Sequence, residues 1–314
     1  MQGPLCMNDL YSLSQIIKSH PLYAVHRDEI HQLYLSLSRE GRLQAAGVMA
    51  ELRTRWPELH EALHKNHALF KQHCEETVKL QLQGVQFAIY GEVLYPAMCY
   101  RMTDPPLTLS YIGAPAWLND RTLSVVGSRE PAADSLLWME KELAAFCEQV
   151  KPCIVSGGAR GVDQKAHSVA LRKGCSTVVV LPSGLGEIYP ASLREWMPLV
   201  MEQGGCFLSE YDYQQKMHKH LFHHRNRLIA ALGQASLLVE ARRRSGTLIT
   251  ASQAVQLGRP VWVVPGHPLD MHFLGGLDLL LDGAQLVRDA QDLFMFFHEE
   301  NVSAQMSPVG VAAL

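Results

Sequence analysis

The chain lacks the pairings that zinc sites and disulfide scaffolds need. Its seven cysteines stand at 6, 74, 99, 147, 153, 175 and 206, with no C-x-x-C spacing among them. They are expected as reduced, mostly buried thiols. No uninterrupted apolar run reaches the ~18 residues of a membrane span, and no basic segment leads an apolar one at the N-terminus. The expectation is a cytoplasmic protein with no membrane partner. G-x-S-x-G and H-E-x-x-H are missing, and no Ser-His-Asp or Cys-His set has a recognisable setting. No resident metal or cofactor is implied. A large excess of one charge is missing as well, the formal net charge being −3. That excludes coating a nucleic acid by bulk charge but permits a local basic cleft.

What is present is a soluble globular composition, 314 residues at 47% hydrophobic and 19% charged, enough for two domains. Leu10, Leu13, Ile16 and Ile17, then Ile30, Leu33, Leu35 and Leu37, then Leu43, Val48, Met49 and Leu52 recur at helical spacing, with breaks at Pro21, Gly41 and Pro57. This predicts a small all-α N-terminal domain over residues 1–82. From residue 83 to 298 short apolar strands alternate with helical runs, at 122–126, 152–155, 176–181, 205–209, 237–240 and 261–264. Two further extended pieces, 86–89 and 107–112, precede them at a sheet edge. The alternation predicts an α/β fold, an extended Rossmann-like parallel sheet with helices on both faces. A flexible tail is expected over 299–314.

In such a sheet ligands gather at the carboxyl ends of the strands. Five strand ends carry special residues. The first ends in Gly127, Ser128 and Arg129. The second runs Ser156-Gly157-Gly158-Ala159-Arg160-Gly161-Val162-Asp163, a strand, glycine turn and helix start where backbone N–H groups suit a phosphate. Its spacing is neither G-x-G-x-x-G nor a P-loop. Asp163 is expected to steady this loop from the first helical turn. The remaining ends carry Gly184 and Gly186, then Glu240 through Thr247, then Pro265-Gly266. Arg225-Asn226-Arg227 is read as opening a helix, with two guanidiniums able to fork onto phosphates. Arg242-Arg243-Arg244 leads into Ser245-Gly246-Thr247 in the same manner, and together the clusters favour a polyanion. The histidines between His218 and His224 read as partly exposed loop residues. The loops at 157–158 and 184–186 are expected to leave recesses for an unstacked base, read by the hydroxyls of Ser156, Ser245 and Thr247 without an aromatic platform.

The ordered motifs resemble the DNA-processing protein A family, also called DprA or Smf. They are Gly127-Ser128-Arg129, Ser156 to Asp163 with Ala166-His167, Gly184-Leu185-Gly186 with Tyr189-Pro190, Phe222 with Arg225-Asn226-Arg227, Val239-Glu240-Ala241 and Ser245-Gly246-Thr247. The similarity covers roughly residues 84–285. It implies a non-enzymatic, dimeric Rossmann protein that binds single-stranded DNA, protects it and loads the recombinase RecA during natural transformation. By motif it implies Arg129 as a phosphate clamp, the loops at 156–161 and 245–247 as cradles, and Arg225 and Arg227 as supporting cations. The family usually has Phe-Pro before its Arg-Asn-Arg, where this chain has Phe222-His223. Many relatives continue into a winged-helix domain, which is not expected here. Two other readings remain: a nucleoside monophosphate N-glycosidic hydrolase of a related fold, and a nucleotide-sensing module. The hydrolases resemble P-G-G-x-G-T-x-x-E, and the stretch around Ser245-Gly246-Thr247 lacks that glycine pair and the trailing Glu.

Overall fold

A computed structural model describes residues 7–119 and 121–306. The chain divides into two compact units, one running to Tyr95 and including Pro105–Ser110, the other comprising Pro96–Asp104 and the residues from Tyr111 onward.

The first unit holds α1 (Met7–Ser19), α2 (Pro21–Arg39), α3 (Ala45–Arg55), α4 (Pro57–Lys65), α5 (His67–Leu82) and β1 (Val85–Ile89). Pro21 and Pro57 begin helices rather than merely interrupting them, since the first helical position needs no N–H donor. The buried stripe of α2 is Ile30, Leu33 and Leu37, one helical face, while Leu35 falls off it. Buried polar groups find each other, Ser14 with Tyr34 at 2.8 Å and Ser12 with Thr77 at 2.9 Å.

The second unit is the α/β sandwich. After β2 (Thr108–Gly113), which the two units share, come β3 (Thr122–Gly127), α6 (Ala133–Trp138), α7 (Ala144–Val150), β4 (Cys153–Ser156), α8 (Val162–Arg172), β5 (Thr177–Val180), α9 (Met197–Glu202) and β6 (Cys206–Ser209). Then follow α10 (Lys219–Leu232), β7 (Ala235–Val239), α11 (Gly246–Gln256), β8 (Val261–Val264), α12 (Leu274–Leu281), β9 (Gln285–Leu286) and α13 (Ala290–Met306). Within this unit the strand order is β6-β5-β4-β3-β7-β8-β9. From β6 to β9 every pair is parallel. Helices cover both faces. Leu123 and Val125 pack with Phe146, Val162 and Ala166 on one side, while Ser124, between them, donates to the Ile229 carbonyl of α10 at 2.6 Å on the other. A fully buried serine in a central strand is tolerated because that bond satisfies it.

Three details differ from the sequence reading. The helical run 133–150 contains a π-turn at Met139–Leu143. The helix α12 has no counterpart in the sequence reading, since it opens with Gly275 and Gly276, and Gly275 is needed because a Cβ there would lie 2.7 Å from the Arg242 carbonyl. Residues 299–306, expected as flexible tail, continue α13, while 307–314 lie outside the described residues. Among the described residues, six cysteines are free, all buried except Cys74, and Cys6 lies outside them. No described helix is long and apolar enough to cross a membrane.

The chain builds outward from β3 through β4, β5 and β6, then returns to place β7 on the other side of β3. The direction of winding therefore reverses between β3 and β7, whose ends pair Gly127 with Val239. A crevice opens at such a reversal, beyond the carboxyl ends of the two strands.

Candidate nucleic-acid interface

That crevice is a groove of about 860 Å³. The end of β3 supplies Gly127, Ser128 and Arg129, the start of α8 supplies Asp163, and the residues after β7 supply Glu240 and Arg242. Ser245, Gly246 and Thr247 line it as well, and α10 with its approach forms a long wall bearing Lys219, Phe222, Arg225 and Asn226.

Gly127 is where close approach demands glycine, because a Cβ would sit 2.0 Å from the Val239 carbonyl oxygen. Its own carbonyl accepts from Thr247 Oγ1 at 3.2 Å, which ties the start of α11 to β3. Gly161, with φ +86°, lets the glycine loop fold against the 128–129 backbone, and Val162 N–H donates to the Ser128 carbonyl at 3.0 Å. Arg129 is left exposed at the lip. Its guanidinium lies 4.9 Å from the centroid of Phe222, a cation–π contact, and it has no carboxylate partner among the described residues. Tyr189 meets Phe222 edge-on at 5.7 Å and lines the same groove. The groove therefore has an aromatic platform.

The glycine loop packs largely inward. Ser156 is fully buried and donates to the Val125 carbonyl at 2.6 Å. Gly157 lies against the Arg225 guanidinium and Gly158 against Leu193. Ala159 N–H points at Asp163 Oδ2, 3.4 Å away. Burial raises the Asp163 carboxyl to about 6, opposed by the charge of Arg225 and by N–H groups of the loop. Only Ala159 and Asp163 of this loop and helix start line the groove; Ser156, Gly157, Gly158, Arg160 and Gly161 do not, although Arg160 is exposed. Gly184 and Gly186 also lie outside it. Their N–H groups donate to Gln215 and Tyr213 carbonyls at 2.8 Å, and a Cβ on Gly184 would collide with the Asp212 carbonyl, so these glycines let two chain segments touch.

The arginine clusters are sorted by burial. The helix α10 begins at Lys219, six residues before the expected start, so Arg225 and Arg227 sit mid-helix and point inward. None of the residues 219–224 breaks a helix, and Leu221 anchors the first turn by burying itself. Arg225, 2% exposed, donates to the Val180 carbonyl beneath the loop and reaches the groove by one edge. Arg227 pairs with buried Glu210 at 2.5 Å and lies away from the groove. Arg242 bonds His272, Arg243 forks onto Asp278 at 2.6 and 2.7 Å, and Arg244 is exposed in a left-handed conformation, φ 57°. Glu240 is a hub: one oxygen accepts from Ala132 N–H and Ser135 Oγ, each at 2.8 Å, and the other from His272 Nδ1 at 3.0 Å. Of the histidines, His218 and His220 stack at 5.9 Å, His223 lines the groove, and His224 joins the Arg227 cluster. His220, His223 and His224 are thus helical, where loop residues were expected.

The sequence profile of DNA recombination-mediator protein A matches residues 86–298. The chain belongs to this family. DNA processing protein DprA of Bacillus subtilis is 30% identical over 264 residues, 83% of each chain. The crystal structure of DNA processing protein A from Streptococcus pneumoniae superposes with a TM-score of 0.71 at 26% identity, covering 93% of this chain and 98% of that one. A structure of DNA processing protein A from Helicobacter pylori, described by its single-stranded DNA binding mode, superposes at 0.60 and 28% identity over 68% and 97%.

Within this member of the DNA recombination-mediator protein A family, Lys219 is among the groove residues that sequence reasoning left out, while Phe222 and Tyr189 entered it only as motif residues without a site role. Lys219, Phe222 and Asn226 stand at i, i+3 and i+7, one helical face, a signal visible only once α10 is started at Lys219.

The His224 cluster carries a pH signature. His224 lies between Asp104 at 3.2 Å and Glu210 at 3.0 Å, and these carboxylates raise its pKa to about 9. The folded value exceeds the unfolded one, so its stabilisation is complete below about pH 6.5 and disappears as pH rises through about 9. The expected result is a melting temperature that falls between pH 7 and 9.5 in the wild type and falls less in His224→Gln. Identical pH profiles would count against it.

Proposed function

We propose that this protein binds single-stranded DNA in the β3/β7 groove without turning it over, and passes the strand to a RecA-type recombinase. The observation that carries the binding is the lip of the groove, where an exposed arginine with no carboxylate partner among the described residues lies over Phe222, whose ring meets Tyr189 edge-on. A phosphate suits the arginine, and an unstacked base suits the aromatic pair. The open N-terminus of α11 adds backbone donors for a second phosphate. A paired base presents no free face, so a duplex forfeits the stacking half of the site. Likeness to the Helicobacter pylori protein supports the ligand, and the family resemblance supports RecA delivery, dimer formation and a role in transformation. The hydrolase alternative would place its carboxylate at Glu240, whose two oxygens accept hydrogen bonds from Ala132, Ser135 and His272 within the fold.

Anisotropy titrations with single-stranded and duplex oligonucleotides of equal phosphate number test the binding. Single strands are expected to bind at least several-fold more tightly at every salt concentration, and equal affinity would remove the role of the aromatic pair. Incubation with nucleoside monophosphates should release no free base; release abolished by Glu240→Gln would make the protein an enzyme. Filament growth on a coated single strand should accelerate when the protein joins RecA, and an unchanged rate would sink the delivery step.

A further inference from the structure

Past the shoulder of α11 lies a second recess, about 380 Å³, which shares His223, Ser245 and Gly246 with the groove. They adjoin at Gly246, where a side chain would meet nothing within 4 Å. Its lining includes apolar Leu248 and Ile249 beside the hydroxyl of Ser252 and the amide of Gln253. Apolar surface beside hydrogen-bonding groups suits a nucleobase.

No carboxylate lines this recess, and one cation does. Of the three consecutive arginines, Arg242 is bonded to His272 and Arg243 to Asp278, while Arg244 has no ion-pair partner among the described residues. Its backbone is left-handed, with φ 57°. At the junction of the two cavities the Ser245 hydroxyl is shielded from solvent yet has no hydrogen-bond partner. A buried hydroxyl without a partner is costly unless a ligand supplies one.

We propose that this recess is a second nucleotide subsite, taking the base and phosphate of the nucleotide next to those held in the groove. The strand then wraps around the N-terminus of α11, with Ser245 touching the phosphate between the two subsites and Arg244 the one beyond. This rests on the single-strand reading of the groove and extends its footprint.

The test is a length series of oligothymidylates against the full chain, wild type beside Arg244→Asn, Ser252→Leu and the groove variant Arg129→Ala. Asparagine keeps the left-handed backbone without the charge. Leucine fills the recess from an exposed helix position without adding a ring that could stack. Both are checked for an unchanged melting temperature. Wild-type affinity is expected to climb with length and then level off. The two recess variants should match wild type on the shortest binding oligomer, fall about 5- to 10-fold below it on longer ones, and level off at a shorter length. Arg129→Ala should weaken all lengths. Recess variants that track wild type throughout, or that weaken every length equally, overturn the proposal while leaving the groove reading intact. A wild type that binds no oligomer of any length sinks both.

Discussion

Arg129→Ala is expected to weaken single-strand binding by about 10- to 100-fold, the equivalent of roughly 1.5–3 kcal/mol for a charge-assisted hydrogen bond. The loss should be the same on every sequence, because a phosphate carries no base information. The salt dependence should flatten by about 0.7 in the log–log slope, the value for one contact on a single strand. Arg129 is suited to this because no carboxylate among the described residues pairs with its charge. Its neighbours on the chain are occupied, Ser128 by Glu130 N–H at 3.1 Å and by Val162 N–H through its carbonyl, while the guanidinium rests on Phe222. Removing it leaves no buried partner stranded, so the melting temperature should hold. Anisotropy at three salt concentrations on homopolymer and mixed-sequence oligonucleotides measures all of this. Wild-type affinity in the mutant, or a loss confined to one sequence, would contradict the assignment.

The general architecture was legible because strand–helix alternation is written in local apolar runs, and the glycine turns mark the carboxyl ends where the groove lies. Direction was harder to read. A glycine that admits a ligand and one that admits a neighbouring backbone look alike in sequence. At 127 and 184 the missing Cβ makes room for the Val239 and Asp212 carbonyls, whereas at 246 it opens onto empty space. Gly158 illustrates the consequence: with φ +67° and Leu193 at 2.5 Å from a hypothetical Cβ, replacing it by valine would strain the fold and say little about a recess. Side-chain burial was the other hidden quantity. Arg225 and Arg227 read as phosphate forks because their partners, Asp163, Glu210 and Asp104, are distant in sequence, and the partner decides which way a guanidinium turns. The aromatic platform was hidden for the same reason, since Tyr189 and Phe222 are 33 positions apart and meet only when the fold closes.

Arg227→Met should therefore behave unlike Arg129→Ala, destabilising the fold by about 3 kcal/mol while leaving the affinity of folded molecules close to wild type. The carboxylate of Glu210 is only 5% exposed and sits 2.5 Å from Arg227. Methionine replaces the volume of the arginine stem but strands a buried charge, for which a cost of about 3–5 kcal/mol is typical. The lower end is expected because His224, charged at neutral pH, stands 3.0 Å from the other oxygen of Glu210 and keeps part of the compensation. That gives the effect a pH dependence: above about pH 9, where His224 loses its proton, the destabilisation should deepen. Neutralising the stranded group in the double variant Arg227→Met/Glu210→Gln should recover much of the stability, since the penalty belongs to the unpaired charge more than to the lost pair. Urea midpoints at pH 7 and pH 9.5 for the four proteins of this cycle, with oligonucleotide affinity at low urea, provide the measurement. A single variant as stable as wild type but weak on DNA would return Arg227 to the role of phosphate contact; a destabilised variant with intact affinity would place it in the framework that holds α10, and with it Phe222 and Lys219, along the groove.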